Sequence, residues 1–350
     1  MKAIVMRKCR TAVALALLAA MPLSTLVPLV LAKEQAHAAA ASACGGIDML
    51  AELATTDPEI YATVMQAKRT SSNAEAVLWK VEGLSAQTSH LFGTIHLSDP
   101  RVSVLSDNVK ATLGKSAKLA VEVADLSDSA MGAAMADAAQ SLMYSDGKSL
   151  TDKLSGAEIA QVEAIVGKSG MPIESAHLLR PWLLNMLLSV SECERRQMAA
   201  GATVLDMRLV EEAQNRAIPV VGLESIAQQL ASLSEMPEDQ QVLMLKSGLK
   251  YADRTDDMME TLVQLYLKRQ MGAAIPFQLA LAAKTGVPPS AFDGFQKALL
   301  FDRNERMRDT MKPLLDKGRA FIAVGALHLS GDKGLVALLR QVGYTVTPIE

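Results

Sequence analysis

A short pattern that centres on a histidine occurs twice in the chain. Residues 93–98 read Gly-Thr-Ile-His-Leu-Ser, and residues 325–330 read Gly-Ala-Leu-His-Leu-Ser. The chain holds five histidines, and two of them, His96 and His328, share this pattern. Imidazole binds transition metals and moves protons near neutral pH. The repeat therefore indicates one shared site for a metal ion or a proton transfer, although a hydrogen-bonded structural histidine remains the ordinary alternative.

Both copies follow an apolar run that is typical of a β-strand, and both precede polar turn residues. Ligands of open α/β sheets bind at the carboxyl edge of the strands. Gly93 and Gly325, three residues before each histidine, permit a close approach that a Cβ atom would block. We expect His96 and His328 to converge at that edge, and we assign no site role to the histidines at positions 37, 90 and 177.

Two carboxylates lie in or just after other predicted strands. Glu122 stands among valines in the sequence Leu-Ala-Val-Glu-Val of residues 119–123. Burying an unpaired carboxylate there is costly, so Glu122 is a metal ligand, a general base or half of an ion pair. Glu224 follows the run 219–223 and is either a second site carboxylate or a first-turn helix residue that the helix dipole favours.

The elements that must position these residues alternate along the chain. Apolar or β-branched runs predict strands at 77–81, 90–95, 119–123, 219–223, 320–326 and 344–349. Helical periodicity appears around 48–67, 104–115, 156–167, 174–196, 203–216, 253–270 and 334–342. This alternation predicts an α/β fold, a central mixed β-sheet covered by helices.

Two long stretches, at about 127–217 and 225–317, contain no predicted strand. We interpret them as helical insertions that lie on the sheet and form a lid or a substrate wall. No low-complexity linker divides the chain after its first residues, so we expect residues 39–350 to form a single domain.

Composition and absent motifs exclude several classes of protein. Half of the residues are hydrophobic, and 35 basic against 38 acidic side chains give a net charge of −3. These values exclude intrinsic disorder and a generic nucleic-acid binder. The chain has no H-E-x-x-H, G-x-S-x-G, P-loop or G-x-G-x-x-G element, so zincin chemistry and phosphate cradling lack support.

The first residues have the layout of a secretory signal. Four basic residues within positions 1–10 precede an uncharged stretch at 11–32, and small-x-small sites follow at 36–38 and 41–43. We predict a signal peptide over residues 1–38 and a periplasmic or secreted protein. A retained membrane anchor and a lipoprotein are the alternatives, and this segment is the only expected contact with a membrane.

Cysteine content agrees with export. Cys9 leaves with the predicted signal, and Cys44 and Cys193 remain as an even pair. In an oxidising compartment such a pair predicts a disulfide. Two unpaired buried thiols are the alternative.

These residues together resemble the TraB/PrgY/GumN family, especially its secreted GumN-like members. The likeness rests on the two G-x-x-H motifs, Glu122 in Val-Glu-Val, Leu-Asp at 205–206, Gly-Leu-Glu-Ser at 222–225, Asp-Arg-Asn at 302–304 and Gly-Tyr-Thr-Val at 343–346. It extends over nearly all of residues 43–350. The family includes the animal Tiki metalloproteases and is considered related to erythromycin-esterase and ChaN-like folds.

The resemblance implies a metal-dependent hydrolase with His96, Glu122 and His328 at its centre. Arg303 and Asn304 match the family's R-N pair and are implied to lie near the site, whereas a solvated, mixed-charge helix face is the alternative for them. Asp206 and Glu224 are possible additional site residues. Peptides or other amides are the implied substrates, with esters second.

Three functions stay open at this point. In the first, a divalent cation (Zn, Mn, Co or Fe) held by His96 and His328 generates the nucleophile, Glu122 is a third ligand or the base, and Arg303 or Asn304 stabilises the oxyanion. In the second, a histidine acts as general base without a metal. In the third, a secreted binding or sequestering protein keeps the cleft and performs no chemistry. The substrate, the metal and the oligomeric state are left open.

Overall fold

The hydrogen-bonded strands form one six-stranded sheet. The computed structural model describes residues 44–83, 85–145, 147–168 and 170–350, so the predicted signal peptide lies outside the described residues. The strands are β1 (Leu78–Glu82), β2 (Ser89–Thr94), β3 (Lys118–Val121), β4 (Val220–Gly222), β5 (Ala320–Gly325) and β6 (Thr345–Pro348).

The sheet is mixed, with the strand order β4-β3-β5-β2-β1-β6. Strands β4, β3, β5 and β2 run parallel, whereas β1 pairs antiparallel with both β2 and β6. This topology confirms the α/β class with a mixed sheet. All six predicted strands are present, with ends that differ from the prediction by at most two residues.

Helices account for most of the remaining described residues. They are α1 (Met49–Thr56), α2 (Pro58–Thr70), α3 (Pro100–Ser103), α4 (Asp107–Gly114), α5 (Asp128–Asp137), α6 (Ala139–Leu142), α7 (Gly156–Lys168), α8 (Ile173–Leu178), α9 (Pro181–Leu188), α10 (Glu192–Ala199), α11 (Leu205–Asn215), α12 (Ile226–Ser234), α13 (Glu238–Leu249), α14 (Thr255–Leu267), α15 (Ala274–Lys284), α16 (Asp293–Gln296), α17 (Asp302–Lys317) and α18 (Leu335–Gln341). A π-helical segment, Lys297–Phe301, joins α16 to α17.

Two helices that the periodicity predicts as continuous are broken, and those predictions were wrong. The stretch 48–67 divides into α1 and α2 because Asp57 caps α2 through the Ile60 amide. The stretch 174–196 divides into α8, α9 and α10, with Pro181 in the first turn of α9 and Ser191 as the N-cap of α10. The helical spacing of apolar residues continues across these breaks, so it does not reveal them. The backbone hydrogen bonding of each helix nevertheless ends there, at a capping residue or a proline.

Apolar side chains cover both faces of the sheet. Along β5, Phe321 and Ala323 belong to one buried cluster, and Ile322 and Val324 belong to another. Successive side chains of a strand point to opposite faces, so the two clusters are the two cores. Burial on both faces explains why the parallel strands are continuous apolar runs in the sequence.

The two long stretches between strands are helical. Helices α5–α11 lie between β3 and β4, and α12–α17 lie between β4 and β5. Within the described residues of both stretches, strand pairing is limited to one isolated bridge between Met143 and Leu179. A third buried cluster joins the two stretches, since it includes Trp182 of α9 and Leu245 of α13. Across the described ranges, no helix has the length and apolar character needed to cross a membrane.

Candidate active site

Adjacent parallel strands bring the two histidine motifs to one edge of the sheet. Strands β2 and β5 are neighbours, and Thr94 at the end of β2 pairs with Gly325 at the end of β5. His96 follows β2 after one intervening residue, and His328 closes a 3₁₀ turn, Ala326–His328, that follows β5. The parallel pairing of β2 and β5 thus brings two histidines that are distant in sequence close together in space.

The two motif glycines make room for this approach. A Cβ atom on Gly93 would lie 2.6 Å from Leu329 Cδ1 and 3.0 Å from Ala326 Cα, so the second motif packs directly on the first. A Cβ atom on Gly325 would lie 3.3 Å from Glu122 Oε1 and 3.6 Å from His96 Nε2. It would also lie 3.6 Å from His328 Cδ2. Both histidines and Glu122 therefore border the same small space above Gly325.

His328 is buried, with 3% of its surface exposed. Its Nδ1 lies 2.7 Å from Asn304 Oδ1, and the Asn304 amide donates to the Lys333 carbonyl. This arrangement assigns the proton to Nδ1 and leaves Nε2 with a free lone pair, 3.8 Å from Glu122 Oε1. Burial lowers the pKa of His328 to about 4 against the attraction of Glu122, so its imidazole is neutral at pH 7.

His96 has a more open setting, with 61% of its side chain exposed. Its Nδ1 lies 2.8 Å from Asp206 Oδ2, and the other Asp206 oxygen accepts from the Thr94 hydroxyl at 2.6 Å. Partial desolvation of the ring by the surrounding protein would by itself lower the pKa of His96. The charge of Asp206 outweighs this effect and raises the pKa to about 9. Asp206 therefore orients His96 and directs Nε2 away from itself.

Glu122 follows the last residue of β3 and is buried. Its Oε2 accepts from Arg303 at 2.5 Å and from Gln229 at 3.2 Å. Among the described residues, the Gly325 amide is the sole donor to its Oε1, at 2.6 Å, which leaves a lone pair on the oxygen nearest to His328. Burial would raise the pKa of Glu122, but the surrounding positive groups and the Gly325 N–H lower it, so Glu122 is ionised.

Arg303, at the start of α17, joins Glu122 to the second carboxylate, Glu224. Its Nε and Nη2 donate to Glu224, whose side chain is 1% exposed, and Nη1 donates to the Leu299 carbonyl at 3.3 Å. Gln229 of α12 also bridges the two carboxylates, with its Nε2 2.9 Å from Glu224. Every nitrogen of Arg303 is engaged, so its place in the structure is that of a charge partner for two buried carboxylates.

The loop after His96 is held by the predicted disulfide. Cys44 and Cys193 are bonded, with their Cα atoms 5.8 Å apart, which confirms that prediction. Glu194, the next residue on α10, accepts from the Ser98 amide at 2.7 Å. Gln197 contacts both the Cys44 sulfur and the Ser98 hydroxyl. The disulfide thus anchors a helix that fixes the backbone two residues beyond His96.

Helix α14 supports the same motif from another side. The buried Tyr266 hydroxyl donates to the Gly93 carbonyl at 2.8 Å. Glu260 accepts from Arg101 at 2.6 Å, and Arg101 in turn binds Asp99 just after the motif. The first histidine motif therefore has hydrogen-bonded supports from α10, α11 and α14.

A family comparison agrees with this geometry. Residues 77–348 match the model of the TraB/PrgY/gumN family, which spans every strand and both histidine motifs. The chain belongs to this family. The family resemblance inferred from the sequence is therefore confirmed.

Two bacterial relatives in the TraB/PrgY/gumN group cover most of the chain. The uncharacterized protein YbaP of Shigella flexneri is 25% identical over 252 residues, 72% of this chain and 88% of its own. YbaP of Escherichia coli K12 is 24% identical over 251 residues, with 72% and 87% coverage.

Two animal relatives are named as metalloproteases. Metalloprotease TIKI2 of Xenopus tropicalis is 28% identical over 189 residues, which are 47% of this chain and 35% of that protein. Metalloprotease TIKI1 of Danio rerio is 25% identical over 185 residues, with 47% and 37% coverage. No solved structure gives a significant match.

All seven side chains named from the sequence lie in this one region of the TraB/PrgY/gumN fold. His96, Glu122 and His328 border the space above Gly325, while four residues hold them: Asp206, Glu224, Arg303 and Asn304. Sequence reasoning missed several supporting residues, among them Glu194, Gln229 and Tyr266. Only Glu194 had a signal, because it adjoins the cysteine of the predicted disulfide.

The donor chemistry of the cluster fits a divalent cation. Each imidazole has its Nδ1 bound to an oxygen acceptor, which orients the ring and frees Nε2, the arrangement that metal-binding histidines use. Glu122 Oε1 adds a carboxylate oxygen. As placed, the described residues bring no three His, Cys, Asp or Glu side chains within coordinating distance of one ion. The residues therefore fit a metal in type and orientation, and coordination requires adjustment of their positions.

Proposed function

We propose that this protein is an exported, metal-dependent hydrolase that cleaves peptide or other amide bonds. The observation that carries the proposal is the convergence of His96, His328 and Glu122 around Gly325, with both imidazole Nε2 atoms free. The names of the TIKI relatives support this reaction class. The disulfide supports an oxidising compartment, either the periplasm or the outside of the cell.

His96 Nε2, His328 Nε2 and Glu122 Oε1 are the atoms that would hold the cation. Two imidazoles and one carboxylate suit Zn, Mn, Co or Fe. A bound divalent cation supplies Lewis acidity, which polarises the scissile carbonyl and makes water a stronger acid.

The chain's own residues have distinct tasks in this scheme. Arg303 and the Gly325 amide keep Glu122 ionised, so its Oε1 is able to accept a proton from water or to serve as the third ligand. Asn304 keeps His328 in the Nδ1–H tautomer, and Asp206 holds the Nδ1–H of His96, so that Nε2 is the nitrogen that would give up its proton on binding the cation. Arg303 and Asn304 are thereby assigned to positioning rather than to the oxyanion, because protein acceptors already engage their donors.

A metal-independent hydrolase is the second candidate, and the His96–Asp206 pair favours it. An exposed imidazole whose Nδ1 is bound by a carboxylate is the arrangement of a general base that activates water. In that reaction Nε2 of His96 would take the proton of the attacking water while the ring is neutral, so the reaction would speed up as the pH rises toward the His96 pKa of about 9.

Hydrolysis of an uncharged peptide library, followed by mass spectrometry, tests the first candidate. We expect cleavage that stops after exhaustive chelation, returns with one of the four cations and is lost in His328→Ala with an unchanged circular dichroism spectrum. His177→Ala is the matched control, because His177 pairs with Glu163 away from the site. Cleavage that persists after chelation would favour the second candidate. Cleavage that persists in His328→Ala would refute the proposed cluster.

A further inference from the structure

A large cavity lies between the two helical insertions, outside the cluster described above. Its volume is about 430 Å³, and its walls come from α9, α12, α13, α14 and α15 together with the segment that precedes α17. Cavities of a few hundred cubic ångströms are typical of small-molecule sites, whereas close-packed protein interiors hold few voids larger than a water molecule. Its size is therefore that of a binding site rather than of a packing imperfection.

The walls of this cavity are uncharged. Among the described residues that line it, none is acidic, basic or histidine, and five are methionines: Met186, Met236, Met244, Met258 and Met259. Some of the polar wall groups are occupied within the protein. Gln241 donates to the Met236 carbonyl, and the Tyr251 hydroxyl donates to the Leu281 carbonyl. A surface of this kind excludes charged groups and adapts to apolar ones of different shapes.

Two connections place the cavity next to the reactive cluster. Leu233 lines the cavity, and Gln229, four residues earlier on α12, contacts Glu122. Residues four apart share one face of a helix about 6 Å apart. Leu299 also lines the cavity, and its carbonyl accepts from Arg303 at 3.3 Å. The cavity therefore begins about one helical turn from Gln229 and Arg303, the two side chains that contact the buried carboxylates.

We propose that this cavity receives a large, uncharged apolar group of the substrate while the amide reaches His96 and His328. The proposal rests on the hydrolase function proposed above and names the specificity of that site. The apolar group has two chemical sources, the side chain of a peptide or the acyl chain of a fatty amide. Both are uncharged and apolar, which is the chemistry that the cavity walls favour.

Equilibrium dialysis of the chain without its leader tests this proposal with three small amides. N-acetylphenylalaninamide represents a peptide side chain, octanamide represents an acyl chain, and N-acetyllysinamide carries a charge. We expect at least one apolar amide to bind about tenfold or more tightly than the lysine amide, and the tighter of the two identifies the source. Equal binding of all three would overturn the proposal.

Variants that fill the cavity provide the second arm. Ser189→Trp and Met259→Trp each place an indole at the cavity wall, and Ser189 is exposed at the end of α9, so the fold does not depend on it. We expect either variant to weaken binding of the apolar amide about tenfold, whereas Ser129→Trp, on the exposed start of α5, leaves it unchanged. Wild-type affinity in a folded Ser189→Trp variant would overturn the proposal.

Measuring binding and hydrolysis separately distinguishes failure of this inference from failure of the proposed function. The dialysis is repeated with His96→Ala, which keeps the cavity walls and removes a proposed metal ligand. Selective binding without any hydrolysis in the wild type would refute the hydrolase and leave a cavity that binds apolar amides. Hydrolysis without selectivity for an apolar group would refute the cavity's role alone.

Discussion

His96 and His328 occupy equivalent positions in a repeated motif and have opposite surroundings. His328 is buried and is held by the neutral amide of Asn304, and its pKa falls to about 4. His96 is exposed and is held by the carboxylate of Asp206, and its pKa rises to about 9. The motif fixes where each histidine lies, at the end of a parallel strand. Residues outside the motif decide whether it is neutral or charged.

The largest expected effect is a loss of unfolding free energy when the buried ion pairs of Arg303 are removed. Arg303→Met would leave Glu122 and Glu224 without their shared cation, and breaking a buried charge pair costs about 3–5 kcal/mol. Urea denaturation at pH 7 measures this loss. Lys312→Met, which removes a half-exposed partner of Asp316 on the same helix, is the control and should cost less than about 1 kcal/mol. Equal losses would remove the distinction between buried and exposed charges.

Loss of the disulfide should destabilise the backbone near His96 more than the backbone near His328. Replacing Cys44 and Cys193 by serine frees a loop with a sequence separation of 149, and we expect a loss of about 2–5 kcal/mol in unfolding free energy. Hydrogen exchange locates the effect. The Ser98 amide, held by Glu194, should exchange faster, while the Gly325 amide, held by Glu122, should change less. A larger change at Gly325 would contradict the assigned role of α10.

The motif glycines should respond differently to alanine. Gly93→Ala forces a Cβ atom against Ala326 and Leu329, and such overpacking costs about 1–3 kcal/mol. Gly325→Ala places its Cβ atom 3.3 Å from Glu122 Oε1, so the carboxylate must shift by a few tenths of an ångström, and we expect a smaller loss of stability, about 1 kcal/mol, than in Gly93→Ala. Its methyl group would nevertheless fill the space between His96 and Glu122 and weaken divalent-cation binding, as titration calorimetry would detect. Cation binding that is unaffected by Gly325→Ala would exclude that space as the metal site.

The smallest effect on stability is expected at the exposed pair. In protein stripped of divalent cations, Asp206→Asn should lower the pKa of His96 from about 9 toward its ordinary value of about 6.5. Because the folded-state pKa is raised, the pair stabilises the fold fully below pH about 6.5 and loses this contribution as pH rises through about 9. Exposure limits that contribution to less than about 1 kcal/mol. An NMR titration that finds the same His96 pKa in both proteins would refute the pairing.

Much of the scaffold could be predicted because its signals are local. The parallel strands are buried on both faces and therefore appear as apolar runs. The two histidines could be paired because their motif repeats and because parallel strand ends share an edge. Cys44 and Cys193 could be paired because they are the even pair that remains if the predicted signal peptide, with Cys9, is removed.

The supports of the site could not be predicted, because their contacts are distant in sequence. Gln229 reaches Glu122 across 107 residues, Glu194 reaches Ser98 across 96, and Tyr266 reaches Gly93 across 173. Glutamate and glutamine are common on helix surfaces, and Tyr266 continues the apolar side of its helix, so none of the three residue types marks a site. The sequence likewise left open whether Glu224 is a first-turn helix residue or serves the site, and its contact with Arg303 distinguishes these roles.

The central claim is that two unequal histidines form one site, and cobalt titration tests it most directly. The wild-type protein, His96→Ala and His328→Ala are titrated with Co²⁺ while the visible absorption and the stoichiometry are recorded. We expect one Co²⁺ per chain in the wild type, and loss of that binding in each single variant. Retention of one tightly bound Co²⁺ in either variant would contradict a shared site.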